Sequence, residues 1–186
     1  GATILSGGFA EVGPTDLQQR LADIANETDL PFIGPNCLGI YVPRQFDTFF
    51  LPGQRLIRPD EGSVAIVSQS GGVLVDQMVK FAGQNVGLSL AVSIGNKAMV
   101  RELDLLEYLG SDPKTGVILM YIEELSYGRK FIDVARKITL ERGKPIFALK
   151  SGRSPQDAPV DILPSISHRG TTPVLVETIA FPPPRP

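Results

Sequence analysis

The strongest constraint on the fold is a set of four short apolar runs in the middle of the chain. They occupy residues 63–67, 88–94, 117–122 and 145–149. Strands that are apolar throughout, rather than at alternate positions, are covered on both faces, as in parallel sheets with helices on each side. Right-handed connections between parallel strands leave few topologies. The sequence therefore predicts an α/β fold with a flavodoxin-like, doubly wound parallel sheet.

Apolar residues at helical spacing fill the intervals between these runs. A three- to four-residue period predicts one amphipathic helix in each interval. The third of these helices is expected to stop at Gly143. The positions are Val75, Met78, Val79 and Ala82 in the first, Leu103, Leu106 and Leu109 in the second, and Phe131, Val134, Ala135 and Ile138 in the third.

Three segments of different character are predicted. In residues 1–60 we predict a strand, then a helix that begins at Thr15, then a strand at 31–33. The apolar face of the helix consists of Leu17, Leu21 and Ile24. This order of elements is typical of the last part of a second α/β domain. Residues 41–60 look like an extended connection, and residues 61–154 form the main domain. Residues 155–186 carry eight of the sixteen prolines and are expected to be poorly ordered, wholly or in part. The chain does not begin with Met, and we interpret it as a piece of something longer.

Composition excludes several classes of protein. Eighteen basic and twenty acidic residues provide no basic field for nucleic acid and no cationic face for a membrane. No apolar run approaches a membrane span, and the single cysteine, Cys37, allows no internal disulfide. These features favour a cytoplasmic protein.

The polar segments that follow the predicted strands are the candidate sites, because ligands of open parallel sheets bind beyond the carboxyl ends of the strands. The first reads Ser68-Gln69-Ser70-Gly71-Gly72, and Gly95-Asn96 follows the second strand. Glycines allow close backbone approach, and the helix that follows offers unpaired N–H groups, so the first segment predicts a phosphate cradle. A tight turn with a serine N-cap is an equal alternative. Neither a P-loop nor a G-x-G-x-x-G motif is present.

Three further side chains could carry chemistry. Glu123 ends the third strand and could orient a histidine or act as a base, although it could also be a solvated loop acid. His168 is the only histidine; it could carry a phosphoryl group or be a surface residue. Cys37 fits a small buried residue near a ligand better than a reactive thiol. No metal site is predicted.

Several ordered motifs resemble one family. They are Gly34-Pro35-Asn36-Cys37-Leu38-Gly39, Val67-Ser68-Gln69-Ser70-Gly71, Gly95-Asn96-Lys97-Ala98 and Lys150-Ser151-Gly152-Arg153-Ser154. Between about residue 7 and residue 154 the chain is similar to the nucleoside-diphosphate-forming acyl-CoA synthetases, which include ADP-forming acetyl-CoA synthetase and, more distantly, the succinyl-CoA synthetase alpha subunit.

The resemblance implies a reaction and its residues. Acyl-CoA and phosphate would give acyl phosphate and CoA, and the phosphoryl group would pass to a histidine and then to ADP. The resemblance places coenzyme A near Asn36, Cys37, Gly95 and Asn96, phosphate at Ser68, Ser70, Gly71 and Gly72, and the catalytic pair at Glu123 and His168. ADP or ATP with Mg would bind an ATP-grasp domain or beta subunit that is not in this sequence. A homo-oligomer is compatible with the family.

The chain departs from the family after Ser154. The stretch from Pro155 to Ser167 is longer and richer in proline than the family pattern, and the match at His168 rests on Ser-His-x-Gly alone. Two alternatives therefore stay open beside the enzyme: a non-catalytic sensing module of an acetyltransferase fusion, and an inactive remnant.

Overall fold

The computed structural model describes residues 1–13 and 15–151 in full and the backbone of residues 177–181. The helices are α1 (Thr15–Glu27), α2 (Gly71–Gly83), α3 (Glu102–Ser111) and α4 (Gly128–Arg142), with a short 3-10 helix at Ala10–Val12. The strands are β1 (Ala2–Thr3), β2 (Phe32–Ile33), β3 (Gly39–Val42), β4 (Phe46–Asp47), β5 (Glu61–Ser68), β6 (Leu88–Ser93), β7 (Val117–Ile122), β8 (Ile146–Lys150) and β9 (Glu177–Phe181).

A mixed sheet forms the centre of the described fold, in the order β4-β3-β6-β5-β7-β8-β9. Its four central strands, β6, β5, β7 and β8, are parallel. Their order corresponds to 2-1-3-4 in sequence, which is the flavodoxin-like arrangement and places the topological switch point between β5 and β7. The predicted parallel sheet, with one helix in each interval, is confirmed.

The core has two parts, one on each face of this sheet. On one face, β5, β6 and β7 pack against α3 and α4, and the core includes the buried Leu106, Phe131 and Ile138. On the other face, α2 contributes Leu74 and Met78. The predicted burial on both faces holds for most of β6 and for the carboxyl half of β5. Strand β7 instead alternates, and Phe147 of β8 is 44% exposed among the described residues.

The hairpin β3–β4 was not predicted. Residues 39–47 fall largely in the stretch interpreted as an extended connection, yet β3 pairs antiparallel with β6 and with β4. Both strands are very short, and Pro43 lies in the turn between them, so no alternating pattern identifies them. The sheet is therefore parallel in its centre and antiparallel at this edge.

The N-terminal unit consists of the parallel pair β1–β2 and helix α1. The helix begins at Thr15 as predicted, but its predicted apolar face is largely open in the described part of the chain. Leu17 and Ile24 are exposed, whereas the small residues Ala22 and Ala25 are buried. The buried face of α1 is therefore the one that carries Ala22 and Ala25, and not the one that carries Leu17 and Ile24.

Strand β9 lies within the segment expected to be poorly ordered. It pairs antiparallel with β8, and Glu177 lies opposite Lys150. It takes the outer position beside β8 among the described strands. The rest of residues 155–186 lies outside the described residues. Among the helices described, none has the length and apolar character needed to cross a bilayer.

Candidate functional site

A cleft of about 470 Å³ opens at the carboxyl edge of the parallel strands. It lies beside the switch point, where β5 gives way to α2 and β7 gives way to α4. Its lining includes six residues that the sequence singled out: Asn36, Cys37, Ser70, Gly71, Gly72 and Glu123. The fold thus brings the predicted phosphate segment, the predicted acid and part of the predicted coenzyme A segment to one place.

The amino end of α2 forms one wall of the cleft. Ser70 is the N-cap, and its Oγ accepts a hydrogen bond from the N–H of Val73 at 3.4 Å. The first N–H groups of an α-helix have no intrahelical acceptor, so those of Gly71 and Gly72 remain available. No acidic residue lies in the first turn to oppose an anion. The serine N-cap is therefore confirmed, and binding of phosphate to the glycine N–H groups stays a prediction.

Ser68 lies beneath this turn rather than in the cleft. It is 1% exposed, and its hydroxyl donates to the carbonyl oxygen of Ser70 at 2.6 Å. The bond stabilises the path of the backbone into the N-cap. A direct contact between Ser68 and phosphate stays a prediction.

Glu123 stands on the opposite side of the switch point from the Ser70 turn. Its backbone N–H donates to Oε1 of Gln69 at 3.0 Å, and the N–H of Glu124 donates to the same oxygen at 3.2 Å. The Glu123 side chain is exposed, and within the described residues its carboxylate has neither a hydrogen bond nor an ion pair. The carboxylate can therefore accept a hydrogen bond from a ligand or from a histidine ring.

The two segments predicted to bind coenzyme A are packed against each other. The N–H of Asn96 donates to the carbonyl of Pro35 at 2.9 Å, and Nδ2 of Asn36 donates to Oδ1 of Asn96 at 3.2 Å. Gly95 has φ +54°, and a Cβ there would lie 2.2 Å from the Pro35 carbonyl oxygen. Asn96 also lines a neighbouring polar cleft of about 460 Å³, together with Gln18 and Arg101. A direct contact of Gly95 or Asn96 with coenzyme A stays a prediction.

Glu11 joins this loop pair to the N-terminal unit, and the sequence analysis did not identify it. Its carboxylate accepts hydrogen bonds from Nδ2 of Asn96 and, at 2.6 Å, from the N–H of Gly8. These bonds, that from Asn96 first, lower the pKa of Glu11 to about 2. The carboxylate therefore stays ionised at all but very acid pH and keeps the loops joined.

Cys37 is buried, as expected. Its Sγ donates to the carbonyl oxygen of Ile4 at 3.3 Å, and burial raises the pKa of the thiol to about 11. Because the fold favours the neutral thiol, the stability linked to this group is present below pH 9 and is lost as the pH rises through about 11.

This raised pKa predicts a slow thiol. The thiolate is the nucleophile, so alkylation of Cys37 by iodoacetamide should accelerate about tenfold per pH unit from pH 7 to about 10. The same chain unfolded in urea provides the control, since its thiol has an ordinary pKa of about 9. A folded-state rate that levels off near pH 9 would contradict the assignment of Cys37 to packing.

His168, the predicted phosphoryl carrier, lies outside the described residues. The described strands that flank its segment, β8 and β9, place Lys150 opposite Glu177. The carboxyl end of β8 and the amino end of β9 therefore lie side by side, at the edge of the sheet that holds the cleft. Within the part of the chain that the structure describes, no group of three or more His, Cys, Asp or Glu residues could hold a metal ion.

Comparison with known proteins shows the family of the flavodoxin-like domain. Residues 61–171 match the family described as the succinyl-CoA ligase like flavodoxin domain. The ADP-forming acetate–CoA ligase of Methanocaldococcus jannaschii is 43% identical over 155 residues, which cover 83% of this chain and 21% of that protein. Subunit alpha of the ADP-forming acetate–CoA ligase I of Pyrococcus furiosus is 35% identical, over 90% of this chain and 35% of that subunit.

A solved structure agrees with these sequence relatives. Acetyl-coenzyme A synthetase 1 of Ca. Korarchaeum cryptofilum, in complex with phosphate and ADP, matches with a TM-score of 0.72 and 37% identity, over 82% of this chain and 32% of that one. The chain therefore spans only about a fifth to a third of the length of these relatives. It belongs to the family described as the succinyl-CoA ligase like flavodoxin domain, and it is similar to the corresponding region of ADP-forming acyl-CoA ligases.

Proposed function

We propose that this chain is the part of a cytoplasmic ADP-forming acyl-CoA synthetase in which acyl-CoA and phosphate are converted to acyl phosphate and CoA. One observation carries the proposal: the open N–H groups at the start of α2 share a cleft with the uncommitted carboxylate of Glu123. The helix N-terminus suits an anion, and a carboxylate across from it suits a histidine that must keep one tautomer. The phosphate and ADP in the Korarchaeum structure are ligands of the same chemical class.

The bond changes in this reaction can be written in two steps. An oxygen of phosphate attacks the acyl carbonyl carbon, the carbon–sulfur bond breaks, and CoA leaves as a thiolate that takes up a proton. A ring nitrogen of His168 then attacks phosphorus, the bond from phosphorus to the acyl oxygen breaks, and the carboxylic acid leaves as its anion. The phosphoryl group next passes from the ring to ADP.

The proposed roles follow from where the residues lie. Ser70, Gly71 and Gly72 would hold the phosphoryl oxygens by N–H groups and the helix dipole, with Ser68 supporting the turn. Glu123 would accept a hydrogen bond from the far nitrogen of the His168 ring. Asn36 and Cys37 in the cleft, and Gly95 and Asn96 behind them, would bind coenzyme A, which is a substrate here.

The remaining chemistry belongs to parts of the enzyme beyond this chain. ADP or ATP with Mg would bind an ATP-grasp domain or a beta subunit, in keeping with the subunit composition that the Pyrococcus relative's name indicates. Residues 1–60 would complete a CoA-binding domain, and residues 61–154 would form the CoA-ligase domain.

A phosphate titration of this chain tests the anion site. The amide resonances of Ser70, Gly71 and Gly72 should shift with a Kd of about 10 mM, which corresponds to roughly 2.7 kcal/mol. The N-terminus of α3 is an internal control, because the carboxylate of Asp104 in its first turn already accepts a hydrogen bond from the N–H of Arg101 and opposes an anion there. Unmoved Gly71 and Gly72 signals, or equal shifts at both helices, would count against the proposal.

A further inference from the structure

The loop that carries Glu123 is anchored on one side by Gln69. Both successive N–H groups of the loop, those of Glu123 and Glu124, donate to the Oε1 atom of this side chain. The backbone N–H of Gln69 in turn donates to the carbonyl of Tyr121 at 2.9 Å, at the end of β7. Gln69 directly precedes Ser70, the N-cap of α2. One residue thus connects the proposed phosphate site to the proposed catalytic acid.

Lys97 anchors the same loop from its other side. Its Nζ lies 2.5 Å from the carbonyl oxygen of Glu124 and 3.2 Å from Oε2 of Glu102. Both charged side chains are buried, at 5% and 1% exposure. Two buried charges are costly to desolvate and persist only when they are well paired. Glu102 is the first residue of α3, where the helix dipole also favours a carboxylate.

We propose that Gln69 and Lys97 are positioning residues that fix the direction of the Glu123 carboxylate relative to the α2 N-terminus. This inference rests on the proposed function. Gln69 holds the N–H groups of Glu123 and Glu124, and Lys97 holds the carbonyl of Glu124, so the peptides on either side of Glu124 cannot rotate without losing one of these contacts. Misplacement of a reacting group by about 1 Å can cost 10²-fold in rate, which is why such anchoring matters here.

The test uses the complete enzyme, including its nucleotide-binding partner. Gln69→Met removes the acceptor and keeps the length of the side chain. It should lower the first-order rate constant of enzyme phosphorylation from acyl-CoA and inorganic phosphate by about 10- to 100-fold. The KM for phosphate should change by less than about threefold, because the N–H groups of Gly71 and Gly72 are untouched. The effect should also be non-additive with Glu123→Gln, since Gln69 acts through that carboxylate.

A second variant addresses the other anchor. Lys97→Met combined with Glu102→Gln removes both charges of the buried pair, so neither is left unpaired, and it should slow phosphorylation in the same non-additive way. Lys144→Met is the matched control. Its Nζ also donates to backbone carbonyls, those of Leu109 at 2.9 Å and Asp112 at 2.6 Å, but at the opposite edge of the sheet. It should keep the phosphorylation rate of the parent enzyme.

The possible outcomes distinguish an error in the proposed role of Glu123 from an error in the positioning role of Gln69 and Lys97. If Glu123→Gln leaves phosphorylation unchanged, the role of Glu123 in the proposed function is wrong and the positioning role is wrong with it. If Glu123→Gln slows the reaction while Gln69→Met and the double variant run at the parent rate, only the positioning role is wrong. Losses that multiply when Gln69→Met is combined with Glu123→Gln would also overturn it.

Discussion

Glu123→Gln, made in the complete enzyme, should slow transfer of the phosphoryl group to histidine by about 10²–10⁴-fold. The carboxylate has no partner within the described residues, and it lines the cleft that holds the α2 N-terminus. A glutamine keeps the size of the side chain but loses the charge that favours one ring tautomer and stabilises a cationic ring. Rapid-quench measurement of acid-labile phosphate on the enzyme provides the rate.

The neighbouring carboxylate is the natural control for this substitution. Glu124 is exposed, as Glu123 is, but it lines the second cleft with Arg101 rather than the cleft that holds Ser70. Glu124→Gln should therefore keep the phosphorylation rate within about threefold of the parent enzyme, because it changes an exposed side chain and leaves the N–H and carbonyl that anchor the loop in place. Equal losses for both variants would point to a general electrostatic effect and against a specific role for Glu123.

Gly95→Ala should destabilise the fold by about 2–5 kcal/mol. The left-handed backbone at φ +54° costs a residue with a Cβ roughly 1–2 kcal/mol. The new methyl group would also lie 2.2 Å from the carbonyl oxygen of Pro35, so the backbone of one loop must move, which adds about 1–3 kcal/mol. Urea denaturation followed by circular dichroism measures the loss.

A second glycine distinguishes the cost of the contact from the cost of the substitution itself. Gly83 ends α2, and a Cβ there would meet nothing within 4 Å. Gly83→Ala should leave the stability unchanged or raise it by up to about 1 kcal/mol, since alanine is the better helix former. The packing of Gly95 against Pro35 would be disproved if Gly95→Ala unfolded at the same urea concentration as the parent chain.

Local patterns in the sequence were enough to predict the parallel centre of the fold. Continuous apolar runs identified β5, β6, β7 and β8, although burial on both faces holds only for most of β6 and for the carboxyl half of β5. The helical spacing of apolar residues and the glycine that follows them identified α4. The helix is capped by Gly143, which has the left-handed conformation. The same rules missed β3 and β4, because Pro43 lies between them and neither strand is long enough to show an alternating pattern.

The parts of the site that depend on distant contacts could not be predicted. The sequence analysis quoted both Gln69 and Lys97 within motifs but assigned neither a role. Gln69 is 54 residues from Glu123, and Lys97 is 27 residues from Glu124. Only the strand order brings them together, and a lysine after a glycine and an asparagine looks like an ordinary surface charge. The available signal was the set of polar residues directly after the parallel strands. These residues indicated which edge of the sheet holds the site, but not which side chains contact one another there.

The hairpin β3–β4 also has a consequence for how this protein avoids association through its backbone. Without β3, the outer edge of β6 would present unpaired N–H and C=O groups along a largely buried, apolar strand, which is a template for another chain. Strand β3 covers that edge with three paired positions. Strand β4 then ends the sheet with only two residues, both exposed, and so offers too short an edge to extend. A shortened protein that began at Glu61, where the family match begins, would keep the parallel centre but would lose this protection against strand-by-strand aggregation.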